Sequence, residues 1–225
     1  MAQTPKERQS TGKPAASKPF DLAAWLSALG DFPPIVQAGA SVLRNTAESV
    51  PASLLATPAL RDLVRIMTDV MRRAPGVGLA APQIGVPLRI FVAEDQEERI
   101  ADLPEGRAAQ RGRVALPLTV LVNPKVRPEG EQQVTFFEGC LSVRGYGAMV
   151  ARWQSVSVSG VDAEGRPVSL RLDGWPARIM QHELDHLDGT LYVDRMLTRS
   201  LATDAELPRL SGMSIEDAKR ELGID

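Results

Sequence analysis

The chain has 225 residues, 44% of them apolar and 24% charged, with a formal net charge of -2. That composition suits one well-packed domain and offers no whole-molecule case for a nucleic-acid or anionic-membrane partner. No apolar run is long enough to span a bilayer, and the lone Cys140 excludes an intrachain disulfide and suits a reducing compartment.

Residues 1–19 are polar, contain Pro5, Pro14 and Pro19, and lack the apolar core of a secretory signal, so they read as a disordered extension. The extension has serines and little acid but mixes in lysine, which favours a bacterial-type cytoplasmic placement over organellar import. The spacing in "FDLAAWLSALG" predicts a helix from Phe20 to Gly30, ended by the glycine. A second helix is predicted from Thr57 to Ala74, capped by Thr57 with Pro58 in its first turn. Leu60, Leu63, Val64, Met67, Val70, Met71 and Ala74 give it one apolar stripe, and Pro75-Gly76 stops it.

The period then changes to two. Leu88 to Glu94 and Thr119 to Val126 read as strands, separated by the charged stretch "EDQEERIADLPEGRAAQRGR", an exposed insertion. "SVSVSG" and "PVSLRL" alternate around "VDAEG" and predict an antiparallel hairpin. In the next helix, Trp175 to Leu187, Met180, Leu184 and Leu187 share one side while Trp175 and Ile179 occupy another. A helix apolar on more than one side belongs in the middle of a fold. After Arg195 the chain turns polar, with a short helix near Ser214 to Leu222. The order predicts an α+β fold in which antiparallel β-sheets pack around that central helix. It divides into a catalytic domain over residues 20–198 and a tail over 199–225.

The central helix carries "QHELDHLDG", which holds both histidines of the chain. Residues i and i+4 share a helix face, so His182 and His186 can point at one metal ion. Glu183 lies about 100° round the helix, beside the ion without having to bind it, where a carboxylate can move a proton. Two histidines placed at random would fall four apart roughly one time in a hundred. A catalytic site needs a third protein ligand, and two residues compete for the place. Glu206 stands at a spacing known from zinc peptidases, but in a polar stretch broken by Pro208. Cys140 sits in "FFEGCLSV", where Gly139 permits a bend and apolar neighbours promise burial. Asp185 reads equally well as a partner behind a ligand or as a solvated helix residue.

"GVGLAAPQIG" (Gly76 to Gly85) has the outline of a dinucleotide fingerprint, but it follows a helix and Pro82 interrupts what should be the next one. What remains is a structural turn, or a loop whose glycines let backbone approach a substrate while Gln83 supplies an amide.

Together "GVGLAAPQIG", "EGCLSV" and "QHELDHLDG" resemble the peptide deformylase family, in its motif order, over approximately Ile35 to Met196. The resemblance implies removal of the N-terminal formyl group from nascent peptides that begin with formylmethionine, hydroxide supplied by the metal attacking the formyl carbon. It implies Cys140, His182 and His186 as metal ligands, Glu183 as general acid/base, and Gln83 and the Leu141 N–H as oxyanion donors. Val77, Gly78 and Gly139 would contact the substrate backbone, and Trp175, Arg178 and Ile179, faced by Phe136, the methionine side chain. The ion would be one divalent metal, Fe2+ natively, with Zn2+, Ni2+ or Co2+ as substitutes. The partners would be formylmethionyl peptides, with room for a transient ribosome contact and no direct nucleic-acid or membrane binding. This sequence departs from the family in having Arg144 and "GYG" (Gly145 to Gly147) where a proline is common, and in lacking a long basic C-terminal helix. Two competing readings are a zinc peptidase using His182, His186 and Glu206, and a domain that binds formylated peptides without turnover.

Overall fold

The computed structural model describes residues 20–29 and 32–224; the expected disordered extension and the closing Gly30 of the first predicted helix lie outside them. Helix α1 (Leu22–Ala28) starts where the Asp21 carboxylate accepts the Ala24 N–H at 3.0 Å. Helix α2 (Pro58–Arg73) begins as predicted, with Thr57 Oγ1 accepting the Leu60 N–H at 3.3 Å, and Ala74 ends it. Strands β1 (Gly78–Ala80) and β2 (Ile90–Asp95) follow.

β2 is buried along its whole length because it serves two layers. Ile90 and Val92 pack toward the Leu60, Leu63 and Met67 stripe of α2, while Phe91 and Ala93 pack on the opposite face. Between β2 and β3 (Leu116–Pro128) the stretch read as an exposed insertion has no buried residue after Asp95. It nevertheless forms helices α3 (Glu97–Ala101) and α4 (Arg107–Arg111), and several of its charges are tied to the protein. Asp95 is fully buried and takes two bonds from Arg113, at 2.7 and 2.9 Å. Glu94 takes two from Arg72 of α2, at 2.7 and 2.8 Å. Arg99 donates to the carbonyls of Gly76 and Pro75. A hydropathy pattern treats every charge as solvated; here opposite charges meet across long stretches of chain.

Strands β4 (Gln133–Cys140) and β5 (Val143–Trp153) form a hairpin closed by Leu141 and Ser142. Gly139 stays in the strand, at the register shift just before Cys140. The predicted second hairpin is β6 (Ser155–Val161) with β7 (Pro167–Asp173). One antiparallel sheet has the order β1-β2-β3-β6-β7. Helix α5 (Gly174–Leu187) lies against it opposite α2, burying Ala177, Ile179, Met180 and Leu187 on Phe91, Leu121, Val156 and Val158. α5 also touches β5 of the smaller sheet, order β4-β5-β8, whose last strand is β8 (Ala202–Thr203). The segment read as a polar tail supplies that strand and two helices, α6 (Leu207–Gly212) and α7 (Ile215–Leu222). Leu210 and Ala218 pack on Phe137 and Met149 of the small sheet. Among the described residues no helix is long and apolar enough to cross a membrane.

Thr57 also donates to the Leu54 carbonyl at 2.6 Å, so it fixes both the helix start and the turn before it. Thr57→Ala is expected to lower stability by about 1 kcal/mol. Urea unfolding should show a lower midpoint with an unchanged slope.

Candidate active site

Cys140 ends β4, and His182 and His186 sit one turn apart on α5, so the hairpin and the central helix bring a thiol to two imidazoles. One ligand atom from each lies within 4.8 Å of the others, and the sulfur is 3.3 Å from His186 Nε2. Glu206 is elsewhere: it is exposed, precedes α6 and pairs with Arg209 at 3.1 Å. Of the two candidates left open for a third ligand, the structure brings Cys140 to the histidines and not Glu206.

Behind this group lies a network that sequence reasoning missed. Glu138, two residues before Cys140 and 6% exposed, places Oε2 3.0 Å from His182 Nδ1. An ionised carboxylate only accepts, so Nδ1 carries the proton and Nε2 is left with a free lone pair that could hold a metal. Arg152 of β5 donates to both Glu138 oxygens at 2.9 Å, and Arg178 of α5 to one at 2.6 Å. Burial alone would raise the Glu138 pKa, but the bonds from Arg152 and His182 and their charges hold it well below the usual carboxylate range. Arg152 reaches on to Asp185 at 2.5 Å, which also takes two bonds from Arg195 at 2.8 Å. Asp185 is therefore neither solvated nor bonded to a histidine; it anchors Arg152. The one signal in the sequence was the glutamate of "EGC", a charge beside the apolar "FF".

Glu183 is buried, and burial raises its pKa to about 7, with Oε2 lacking any partner. A Cβ added at Gly78 would collide with its carboxylate, so that glycine makes room for Glu183. The orientation of Gln83 is set by Ala80, whose N–H can only donate and does so to Oε1 at 2.8 Å. Its amide nitrogen is thereby turned to Ser142 Oγ at 3.3 Å and the Cys140 sulfur at 3.6 Å.

Gln83, Glu138, Cys140, His182 and Glu183 line a cleft of about 610 Å³. Val77, Gly78, Gly139, Trp175, Arg178 and Ile179 all line it, as does Leu141. Arg178 is 2% exposed and bonded to Glu138 and to the Val150 and Val134 carbonyls, at 2.9 and 2.6 Å, so it acts as wall and not as a free cation. Phe136 is not among the lining residues but faces two of them, its ring edge-on to Trp175 at 6.5 Å and 5.3 Å from the Arg178 guanidinium carbon. The cleft also includes residues the sequence reading did not place there: Arg99, Arg111 and Arg113 of the insertion, Tyr146, and Asp204 and Leu207 of the C-terminal segment. β1 pairs only with β2 and stands at the edge of its sheet, beside this cleft.

An edge strand beside a thiol, two imidazoles and an unpartnered buried carboxylate describes a peptide-processing hydrolase of the metal-dependent kind. The chain belongs to the polypeptide deformylase family, whose profile matches residues 32–201. It is 50% identical over 186 residues to peptide deformylase 1 of Streptomyces coelicolor, covering 82% of this chain and 83% of that protein. It is 43% identical over 197 residues to the chloroplastic peptide deformylase 1A of Solanum lycopersicum, covering 84% and 71%. A Met-Ala-Ser-bound class I type b peptide deformylase from Acinetobacter baumannii superposes with a TM-score of 0.65 at 31% identity, covering 75% of this chain and all of that one.

Removing one partner from a buried charge network strands the others. Arg152→Met would leave Glu138 and Asp185 short of donors, and an expected loss of about 3–5 kcal/mol is measurable by guanidinium unfolding.

Proposed function

We propose that this protein removes the formyl group from N-formylmethionyl peptides, with Cys140, His182 and His186 holding one divalent metal ion. The observation that carries the reading is the cluster of three donor atoms, with the unpartnered Glu183 carboxylate, beside a peptide-sized cleft. The residues fit such an ion: one sulfur and two imidazole nitrogens suit a borderline metal, and Glu138 fixes the His182 tautomer that a ligand needs. A bound divalent ion would act as a Lewis acid and make hydroxide available near neutral pH. We assign ferrous iron as the native ion, with zinc, nickel and cobalt as substitutes.

The chain's own residues supply the rest. The β1 edge at Val77 and Gly78 offers backbone groups to an extended peptide, the manner of binding in which a ligand adds a strand to a sheet. Gly139 leaves the facing strand low, and Trp175, Ile179 and the flat of Arg178 enclose the first side chain. Gln83 Nε2 and the Leu141 N–H donate to the oxygen that gains charge as the formyl carbon becomes tetrahedral. Glu183 takes the proton of the attacking water and delivers it to the departing amine. Its burial and its lack of a fixed partner suit a group that must change protonation. A binding-only domain would have no need of that carboxylate, and a peptidase using Glu206 would need it some distance from where it lies.

The catalytic unit in this reading is the domain from residue 20 to 198, with the segment after it completing the cleft through Asp204 and Leu207. We place the protein in a bacterial-type cytoplasm, acting on nascent chains and touching the ribosome at most transiently.

Anaerobically purified, iron-loaded protein is expected to turn over formyl-Met-Ala-Ser. Glu183→Ala should keep one metal ion per chain while kcat falls about 10²–10⁴-fold. Cys140→Ala should lose the metal, and Glu206→Ala should keep both metal and activity. Loss of metal in Glu183→Ala, or its retention in Cys140→Ala, would overturn the assignment of roles.

A further inference from the structure

Deformylation as described leaves the insertion's arginines unused, although three of them reach the cleft. Arg113 is neutralised by Asp95, and Arg99 is bonded to the Gly76 and Pro75 carbonyls. Arg111 differs. Its guanidinium carbon lies 5.1 Å from the centroid of the Trp175 ring, and its Nε is shielded from solvent without any acceptor. Trp175 Nε1, in the same wall, is likewise buried and unpartnered. Buried donors without acceptors are rare and call for a missing partner. The charges that surround Arg111 have its own sign: burial first, then Arg107, Arg113 and Arg178, lower its pKa to about 10, and it remains a cation at neutral pH.

The position is built. The backbone N–H of Trp175 donates to the Gly112 carbonyl at 3.1 Å, and a Cβ on Gly174 would stand 2.5 Å from that carbonyl oxygen. Arg107 bonds the Ser211 carbonyl, joining α4 to α6. Trp175 precedes His182 by seven residues, so this wall stands about 10 Å along α5 from the ligand cluster. Trp175 encloses the first side chain and an extended peptide advances about 3.3 Å per residue, so the residues that follow pass within reach of the long Arg111 side chain beside that ring.

We propose that Arg111 determines specificity by pairing with a carboxylate on the second or third residue of the formyl peptide, so that the cleft favours acidic N-terminal sequences. This rests on the deformylase reading of the cleft. A guanidinium that binds ground state and transition state alike lowers KM and leaves kcat unchanged.

The test compares kcat/KM of the iron-loaded enzyme on C-terminally amidated formyl-Met-Glu-Ser, formyl-Met-Ala-Glu and formyl-Met-Ala-Ser. At least one acidic peptide is expected to exceed the neutral one about five- to tenfold through a lower KM. That ratio should fall to about one in Arg111→Gln, be reduced in Arg111→Lys, and persist in Arg144→Gln, which removes an exposed cleft arginine. A wild-type ratio of one or less overturns the proposal, as does a ratio that survives in Arg111→Gln or disappears only in Arg144→Gln. Should Arg111→Gln not fold, an unchanged ratio in Arg111→Lys overturns it equally. If only non-amidated formyl-Met-Ala-Ser gains, and loses the gain in Arg111→Gln, the partner is the peptide's terminal carboxylate and the sequence preference is wrong. Absence of turnover on the neutral amide by the wild type would bring down the deformylase reading itself.

Discussion

A single buried carboxylate holds the small sheet to the central helix. Glu138 leaves the small sheet two residues before Cys140 and meets Arg152 from the neighbouring strand, Arg178 from the first half of α5, and His182 one turn further on. An ionised carboxylate at this depth is tolerable only because nearly every lone pair has a donor. The bonds that satisfy it also set the distance between the strand that carries the thiol and the helix that carries the imidazoles. Stability of the interface and geometry of the ligand cluster are thus one constraint. Asp185 and Arg195 extend it outward by holding the far end of Arg152.

The other side of the site is governed by close approach. β1 passes over α5 at Gly78, where only the absence of a Cβ leaves room for Glu183. The same loop carries Gln83, whose amide is turned toward the sulfur by a backbone N–H three residues earlier. Residues ahead of α2 brace both loops: Val36 N–H donates to the Gln83 carbonyl, and Gln37 to the carbonyl of Leu141. The donors assigned to the oxyanion are therefore held from behind, which electrostatic preorganisation requires.

The insertion and the C-terminal segment show how a cleft acquires walls from chain that looks like decoration. α4 docks on the start of α5 and α6 rests against β4 and β5, and Arg107 links the two helices. Substrate-facing surface beyond the reacting bond then comes from segments whose composition reads as solvated. They also leave the buried Arg111 Nε in the cleft wall without an acceptor.

By itself the sequence determined the parts that depend on local periodicity and on residue chemistry. The Thr57 cap, the stripe of α2, the β6–β7 hairpin and the central helix follow from spacings within one element. His182, Glu183 and His186 follow from one helical turn. Only the tertiary structure decided between Cys140 and Glu206, gave Asp185 its arginine, made Arg178 a structural cation, and turned a charged insertion into a wall. Each of those depends on pairing across long stretches of chain, as from Glu138 to His182 or from Asp95 to Arg113. A charge in a linear pattern does not say whether its partner is water or another chain segment, and that choice is made by packing.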